Sequence, residues 1–517
     1  MSPLTYIFLL PLLAALLILL IPRNFKFVIR SVALLATFLS MLIAIITFSK
    51  FVPGASGFQF EEKMAWVASL GISYHVGVDG INMGLILMGA IVAFAAVCVS
   101  NNIKTHEKEF YILTLTMAGG ILGAFASLDL FFFYFLHELA LVPTFIMIGV
   151  WGRGENKNYA TFQITLYLSL GALLVLIGLI ALYLQMPLAE RTFDIPKLTE
   201  YFRDHAMARS AEHVIFPLLL FGFGILVSLW PFHTWAPLGY GSAPTATAML
   251  HAGVLKKFGL YGLIRIALPM MPDETQSWMH ILAFLCLGNI LYVGLVAIRQ
   301  RDLNLLIGNS SVAHMGFAFL GIASLSLIGI TGTILVMIAH GLLAALTFAL
   351  SGYLEQQTKT LDMEKMGGLL RQMPFIGAVM IMAMLAGCGL PGFANFPGEA
   401  LVLFGSWKKF EFVTGVAVWS AAVIGGVYML RAIRKIWHGD KEWSEISDAK
   451  GLWRKAPYVL LLVSLIVFGF FPRLLTDSIK ASAEPIVKMA TFEEPELLLQ
   501  KPGPARPTIY KLKEPRR

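Results

Sequence analysis

From Leu4 to Arg473 one pattern recurs: apolar runs of about 18 to 27 residues succeed one another with mostly short polar segments between them. A run of that length matches the hydrocarbon thickness of a bilayer, and as a helix it satisfies its own backbone where no water is present to do so. The expectation is an all-α, polytopic membrane protein. Composition agrees: the 517 residues are 57% hydrophobic and only 14% charged, and mean hydropathy is +0.75. The first run, Leu4 to Leu20, has no basic segment before it and no small-residue cleavage pattern after it, so it reads as a retained span. Cys98, Cys286 and Cys388 lie far apart in apolar runs, with neither disulfide-framework nor metal-ligand spacing.

Fourteen spans are expected, at approximately 4–21, 29–51, 80–100, 110–127, 130–150, 159–185, 213–231, 243–268, 277–297, 303–322, 327–352, 372–392, 411–433 and 456–473. With the N-terminus outside, the loops at 22–30, 101–109, 152–158, 299–301, 356–371 and 431–455 carry 19 Lys and Arg, against 7 in the opposing loops at 52–79, 186–212 and 407–410. That bias places both termini on the outer side, the periplasm of a bacterium whose inner membrane holds the chain. The same distribution accounts for the net charge of +8 by membrane topology rather than by nucleic acid. The polar, proline-rich tail of residues 474–517 is expected to be an extended strap or disordered. No Rossmann glycine fingerprint, P-loop or CxxC is present, so redox chemistry or nucleotide hydrolysis must belong to another chain.

Ionisable groups inside the apolar runs carry the functional content. The stretch from Leu229 to Arg265 places Pro231, Pro237 and Pro244 and the adjacent pair Lys256 and Lys257 within the membrane. A charge there costs roughly 2.5–3.5 kcal/mol even on insertion scales, and broken backbone survives only when protein or a water-filled cavity surrounds it. Adjacent residues are about 100° apart on a helix, so one lysine is expected on the path while the other snorkels or pairs elsewhere. His137 and Glu138 lie near the middle of the fifth span, and His233, His251, His314 and His340 add groups suited to proton relay. The alternative for each histidine taken alone is a satisfied core residue. A second break, at Pro391, Gly392, Pro397 and Gly398, falls just before Glu399. Breaks in the seventh and twelfth spans, five apart, fit two inverted repeats of five helices.

Several segments together resemble one family: YHVGVDGIN (Tyr74 to Asn82), HELALVPTFIMIGVWG (His137 to Gly152), PFHTW (Pro231 to Trp235), APT (Ala243 to Thr245), AGVLKKFGLYGLIR (Ala252 to Arg265), SSVAHMGF (Ser310 to Phe317) and LPGFANFPGE (Leu390 to Glu399). They are similar to the antiporter-like subunits of respiratory complex I, and the length and 14 spans point within them to the subunit M, or chain 4, family. The resemblance implies a proton-translocating membrane-arm subunit of NADH:quinone oxidoreductase. It also implies L-type and N-type neighbours in the bilayer, and FMN, iron–sulfur clusters and quinone held by partner subunits, with no cofactor in this chain. Glu138 falls on the family's fifth-helix glutamate, Lys257 on its eighth-helix lysine and Glu399 on the twelfth-helix carboxylate. His233, His314 and His340 fall on family histidines. The chain would divide into helices 1–3 (residues 1–109), repeats at 110–268 and 269–433, a cytoplasmic loop with helix 14 (434–473) and the tail.

The chain also departs from that pattern. The position of the family's seventh-helix lysine, usual partner of the fifth-helix glutamate, holds Leu226; a charged turn is APLGY (Ala236 to Tyr240), and a lysine usual after Asp302 is Asn304. His137, His251 and Lys256 are extra ionisable groups. Three functions stay open: a proton-pumping complex I subunit, a subunit of a cation/proton antiporter or membrane-bound hydrogenase, and a structural paralogue that no longer pumps.

Overall fold

The computed structural model describes residues 1–55, 57–100 and 103–492. Eleven of its helices are long and apolar enough to cross a membrane. They are α1 (Pro3–Leu20), α2 (Lys26–Lys50), α4 (Glu107–Ala126), α5 (Leu130–Trp151), α6 (Lys157–Leu184), α8 (Arg209–Val227), α11 (Pro272–Arg299), α12 (Leu303–Ser324), α13 (Leu327–Thr358), α16 (Glu411–Trp437) and α17 (Leu452–Phe470). Two shorter apolar helices, α3 (Met83–Cys98) and α14 (Pro374–Gly387), lie among them. So does α10 (residues 245–270), whose α-helical turns are interrupted by π-helical ones at His251–Leu255 and Leu263–Ala267. The remaining helices are the short α7 (Ile195–Asp204), α9 (Trp235–Ser242) and α15 (Asn395–Trp407), and the amphipathic α18 (Arg473–Thr491).

The arrangement depends on which helices can tolerate lipid. In α1, α2 and α6 large apolar side chains such as Leu17, Leu35 and Leu173 are exposed, whereas every residue of the apolar window of α13 is buried. Helices α12 and α13, capped by Asp302 and Ser326, pack together at the centre, with α15 against both. Close approach there needs glycine: a Cβ on Gly332 would lie 2.6 Å from the backbone nitrogen of Val402, and one on Gly398 2.9 Å from that of Val336.

Both expected breaks exist, and each is joined to a short helix that the span pattern did not separate. Helix α8 ends at Ser228, in the left-handed region at φ 71°, and α9 begins at Trp235. Helix α14 ends at Gly387; Gly389 and Gly392, at φ 70° and 101°, turn the chain before α15. Pro397 and Gly398 lie inside the first turn of α15 rather than in the break.

The helical fold carries one small addition, and the expectation for the start of the tail is corrected. The segment between α2 and α3 contains an antiparallel hairpin, β1 (Gln59–Val67) and β2 (Ile72–Val78), the one sheet among the described residues. It is tied to the segment between α6 and α8 by Asp194, whose carboxylate accepts from His75 Nδ1 at 2.8 Å and from Lys63 while capping α7. Burial alone would push that carboxyl up; the hydrogen bonds outweigh it and hold it at about 2. The segment after Phe471 is no strap up to Thr491: Leu475, Ile479, Ala483, Ile486, Val487 and Ala490 form the buried stripe of α18. The spacing of four, four, three, one and three is helical. The rest of the tail, from residue 493, lies outside the described residues.

Candidate functional site: a buried line of titratable side chains

The π-helical turn at His251–Leu255 sets the geometry. Such a turn widens the helix by one residue, re-aims the side chains beyond it and loosens its carbonyls. Lys256 N–H bonds back five residues to the His251 carbonyl, and the Ala252 carbonyl accepts from Lys257 Nζ at 2.6 Å. Lys257 Nζ also lies 2.8 Å from Nδ1 of His340 on α13. Lys256 Nζ donates to Ser311 Oγ on α12 at 3.3 Å and sits over the Tyr240 ring. Neither lysine snorkels, and the second of the two alternatives holds, with Lys256 paired elsewhere: both are at most 1% exposed, turned to different central helices.

From His340 the line continues to His314, ring to ring at 5.5 Å, and from His314 Nε2 to Glu399 Oε1 at 3.6 Å. Both nitrogens of His314 face carbonyl oxygens, that of Ser310 at 2.7 Å and that of Gly387 at 3.2 Å. A neutral imidazole has one N–H and can donate to only one of them, whereas the two-donor form satisfies both. A cavity of about 20 Å³ beside Glu399, His314, Ser420 and Tyr428 has room for one water. Lys257, His340, His314 and Glu399 thus come from four separate helices, α10, α13, α12 and α15.

The remaining candidates form a looser group. His137 Nδ1 is 3.3 Å from Glu138 Oε1, and its ring stacks on Phe258 at 3.8 Å, next in sequence to Lys257. Glu138 leaves 29% of its side chain exposed on a face that also shows Phe135, Val142 and Ile146. Among the described residues no hydrogen bond or ion pair joins Glu138 to Lys257. Leu226 fills the place of the absent lysine against Gly171 of α6, where a Cβ would meet its Cδ2 at 3.1 Å. His251 Nδ1 lies 3.2 Å from the Tyr240 hydroxyl. His233 is drawn off the line: its Nδ1 lies 3.2 Å from the Pro231 carbonyl, and its ring meets Tyr292 edge to face.

One buried charged pair is not evident from the sequence. Arg265 donates to Asp79 at 2.7 Å, with its guanidinium over the rings of Tyr261 and Phe58. Both residues stand inside motifs of the family resemblance, VDGIN and YGLIR, and a charge at the end of an apolar helix is the signal that could have found them. The pair fastens the turn between β2 and α3 to α10. Groups of three or more His, Cys, Asp or Glu able to hold a metal do not occur among the described residues.

Residues 127–425 match the family described as "NADH:quinone oxidoreductase/Mrp antiporter, TM". NADH-quinone oxidoreductase subunit M of Rickettsia prowazekii is 32% identical over 461 residues, covering 88% of this chain and 91% of that protein. NAD(P)H-quinone oxidoreductase chain 4 1 of Picosynechococcus is 34% identical over 479 residues, covering 90% and 88%. A chain of respiratory complex I from Thermus thermophilus superposes with a TM-score of 0.85 at 27% identity, over 94% of this chain and 99% of that one. A chain of the Mrp complex from Dietzia shares the fold, with a TM-score of 0.81 at 18% identity over 95% and 100%.

Proposed function

The chain belongs to the subunit M (chain 4) family, the antiporter-like membrane subunits of respiratory complex I, and on that premise we propose that it translocates protons along the buried line from Lys257 to Glu399. The observation that carries this reading is the continuity of that line, in which each titratable side chain is supplied by a different central helix and reaches the next directly or across one water's width. A proton at Lys257 Nζ has His340 Nδ1 as its acceptor at 2.8 Å. His340 and His314 exchange it by ring reorientation or through a water. Glu399 accepts it from His314 Nε2, with the 20 Å³ cavity as the place for the bridging water. Breaking an ion pair in low dielectric shifts the proton affinity of both partners, so movement of α15 against α12, which separates Glu399 from His314, would gate the transfer.

In this reading His137 and Glu138 form the lateral end of the path. A partly exposed carboxylate on an apolar face needs a polar partner in the membrane, and a neighbouring L-type or N-type subunit would supply it. The redox chemistry, with FMN, iron–sulfur clusters and quinone, is assigned to partner subunits. The chain is placed in a bacterial inner membrane with 14 spans, two inverted five-helix repeats and both termini periplasmic. The bias of 19 basic residues against 7 supports that orientation, and the paired breaks support the repeats. A second reading, a structural subunit that no longer pumps, rests on Leu226 and on the missing contact between Glu138 and Lys257.

Lys257→Met removes a buried charge and should leave the complex assembled. In reconstituted vesicles it is expected to lower protons translocated per quinone reduced, as is Glu138→Gln. Wild-type pumping in both variants rejects translocation by this chain and favours the structural reading.

A further inference from the structure

A second cavity lies well away from Glu399, at the end of the molecule that carries the basic loops. It is a cavity of about 150 Å³ between the ends of α3 and α5 and the starts of α4 and α10, walled by Ser100, Phe110, Trp151, Thr245 and Ala246. That volume has room for several waters, and the Ser100 and Thr245 hydroxyls, the Arg153 guanidinium and the Glu355 carboxylate give them polar partners. Exposure falls inward: 33% for the Glu355 side chain and 19% for that of Arg153 at the mouth, 4% for Ser100 and 2% for Ala246 at the back.

The mouth is built by the break between α9 and α10. The backbone is extended at Ala243 and Pro244, so the carbonyls of Ser242 and Ala243 meet no helical N–H ahead of them and need donors from elsewhere. Arg153 supplies them: its backbone N–H bonds the Ser242 carbonyl at 2.8 Å and its Nε the Ala243 carbonyl at 3.0 Å, while Nη1 forms an ion pair with Glu355 on α13. One side chain therefore ties the α5–α6 connection, the start of α10 and the end of α13 together across the opening. Those same helices carry Glu138, Lys257 and His340. From Thr245 to His251 is six residues, about 9 Å of helix rise.

We propose that this cavity is the water-filled vestibule through which protons reach α10 from the basic face, and that the Arg153–Glu355 ion pair is its gate. The inference rests on the proton-translocating reading and adds to it a port and two positioning residues. With the pair closed, Arg153 holds the break in place and the mouth is narrow. Release of Glu355 frees the guanidinium and lets water reach Thr245 and the first turns of α10. The pair is only partly exposed, so Arg153 needs another partner when Glu355 leaves; the Ala243 carbonyl and the water that enters the mouth supply it, and no charge is stranded.

The test uses the assembled complex in vesicles, with Cys98, Cys286 and Cys388 replaced by alanine. Thr245→Cys is expected to react with a membrane-impermeant methanethiosulfonate from the basic face, and Glu355→Gln to speed that reaction by roughly threefold or more, with Glu355→Asp near the starting rate. Ala246→Leu, which fills the back of the cavity, is expected to slow proton translocation by roughly twofold or more in complex that native gels show to contain the subunit. Thr245→Cys that never reacts in assembled complex overturns the vestibule, and equal rates in Glu355→Gln and Glu355→Asp overturn the gate. Wild-type pumping in Ala246→Leu beside a defective Lys257→Met also overturns the vestibule alone, whereas wild-type pumping in Lys257→Met overturns proton translocation itself.

Discussion

Lys256 and Lys257 show how neighbouring residues of one type acquire different work. Both are removed from water, yet one finds only a serine hydroxyl and an aromatic face while the other finds a histidine. Only the second faces a base that can take a proton from an ammonium, which is why the proposed relay runs through Lys257. Leu226 poses the converse question of what a missing charge means. It packs on Gly171, and the adjacent Ala172 carbonyl accepts from the hydroxyl of Tyr134, one turn before Glu138 on α5. A lysine at 226 would therefore stand on the same stretch of α6 as the glutamate. Leu226→Lys is expected to be tolerated when Glu138 is present and to destabilise the complex in a Glu138→Gln background, with a coupling of about 1–3 kcal/mol in a double-mutant cycle. Additive effects in thermal unfolding of the purified complex would show that the two positions do not face each other.

At the scale of elements, the breaks and π-helical turns do what straight helices cannot. A regular α10 would bond every carbonyl within the helix; the wide turn at His251–Leu255 leaves Ala252 to hold Lys257 Nζ. The gap between α14 and α15 places Glu399 in the second turn of a new helix, beside His314 rather than in line with α14. Its glycine seam with α13 fixes α15 at that depth. Gly332→Ala would put a Cβ 2.6 Å from the Val402 nitrogen, a clash with backbone that only separation of the helices relieves. It is expected to destabilise the subunit by about 1–3 kcal/mol and to impair pumping without touching any titratable group. Thermal unfolding of the purified complex together with vesicle acidification measures both, and wild-type values in each would mean that the seam is softer than drawn.

For the whole molecule, the positions of the ends decide which face is which. The β1–β2 hairpin, α7 and α18 gather on one face, where Gly80 N–H donates to Ser482 Oγ at 2.8 Å. The basic loops, Arg153 and the segment between α16 and α17 gather on the other. Lys480→Cys on α18 is expected to be labelled only from the periplasmic side of oriented membranes, and Lys441→Cys only from the cytoplasmic side. The reverse pattern would invert the chain and, with it, the direction of proton flow through the vestibule.

The membrane class, the helical fold, the two breaks and the set of buried ionisable residues are legible in the sequence. Each is a local property: a run long enough to cross lipid, a proline without a donor, a charge where charge is costly. The family resemblance rests on motifs of the same local kind. Contacts between helices distant in sequence are not local, and only the folded chain decides them. Periodicity cannot tell that Lys257 meets His340, 83 residues away, rather than Glu138, nor that Arg153 reaches Glu355 over 202 residues. The π-helical turns that aim these side chains leave no composition signal. The amphipathic stripe of α18 is present in the sequence but is masked by the polar, proline-rich tail after it. Local sequence thus determines which groups have to be buried and protected, and tertiary packing decides which of them stand within reach of one another.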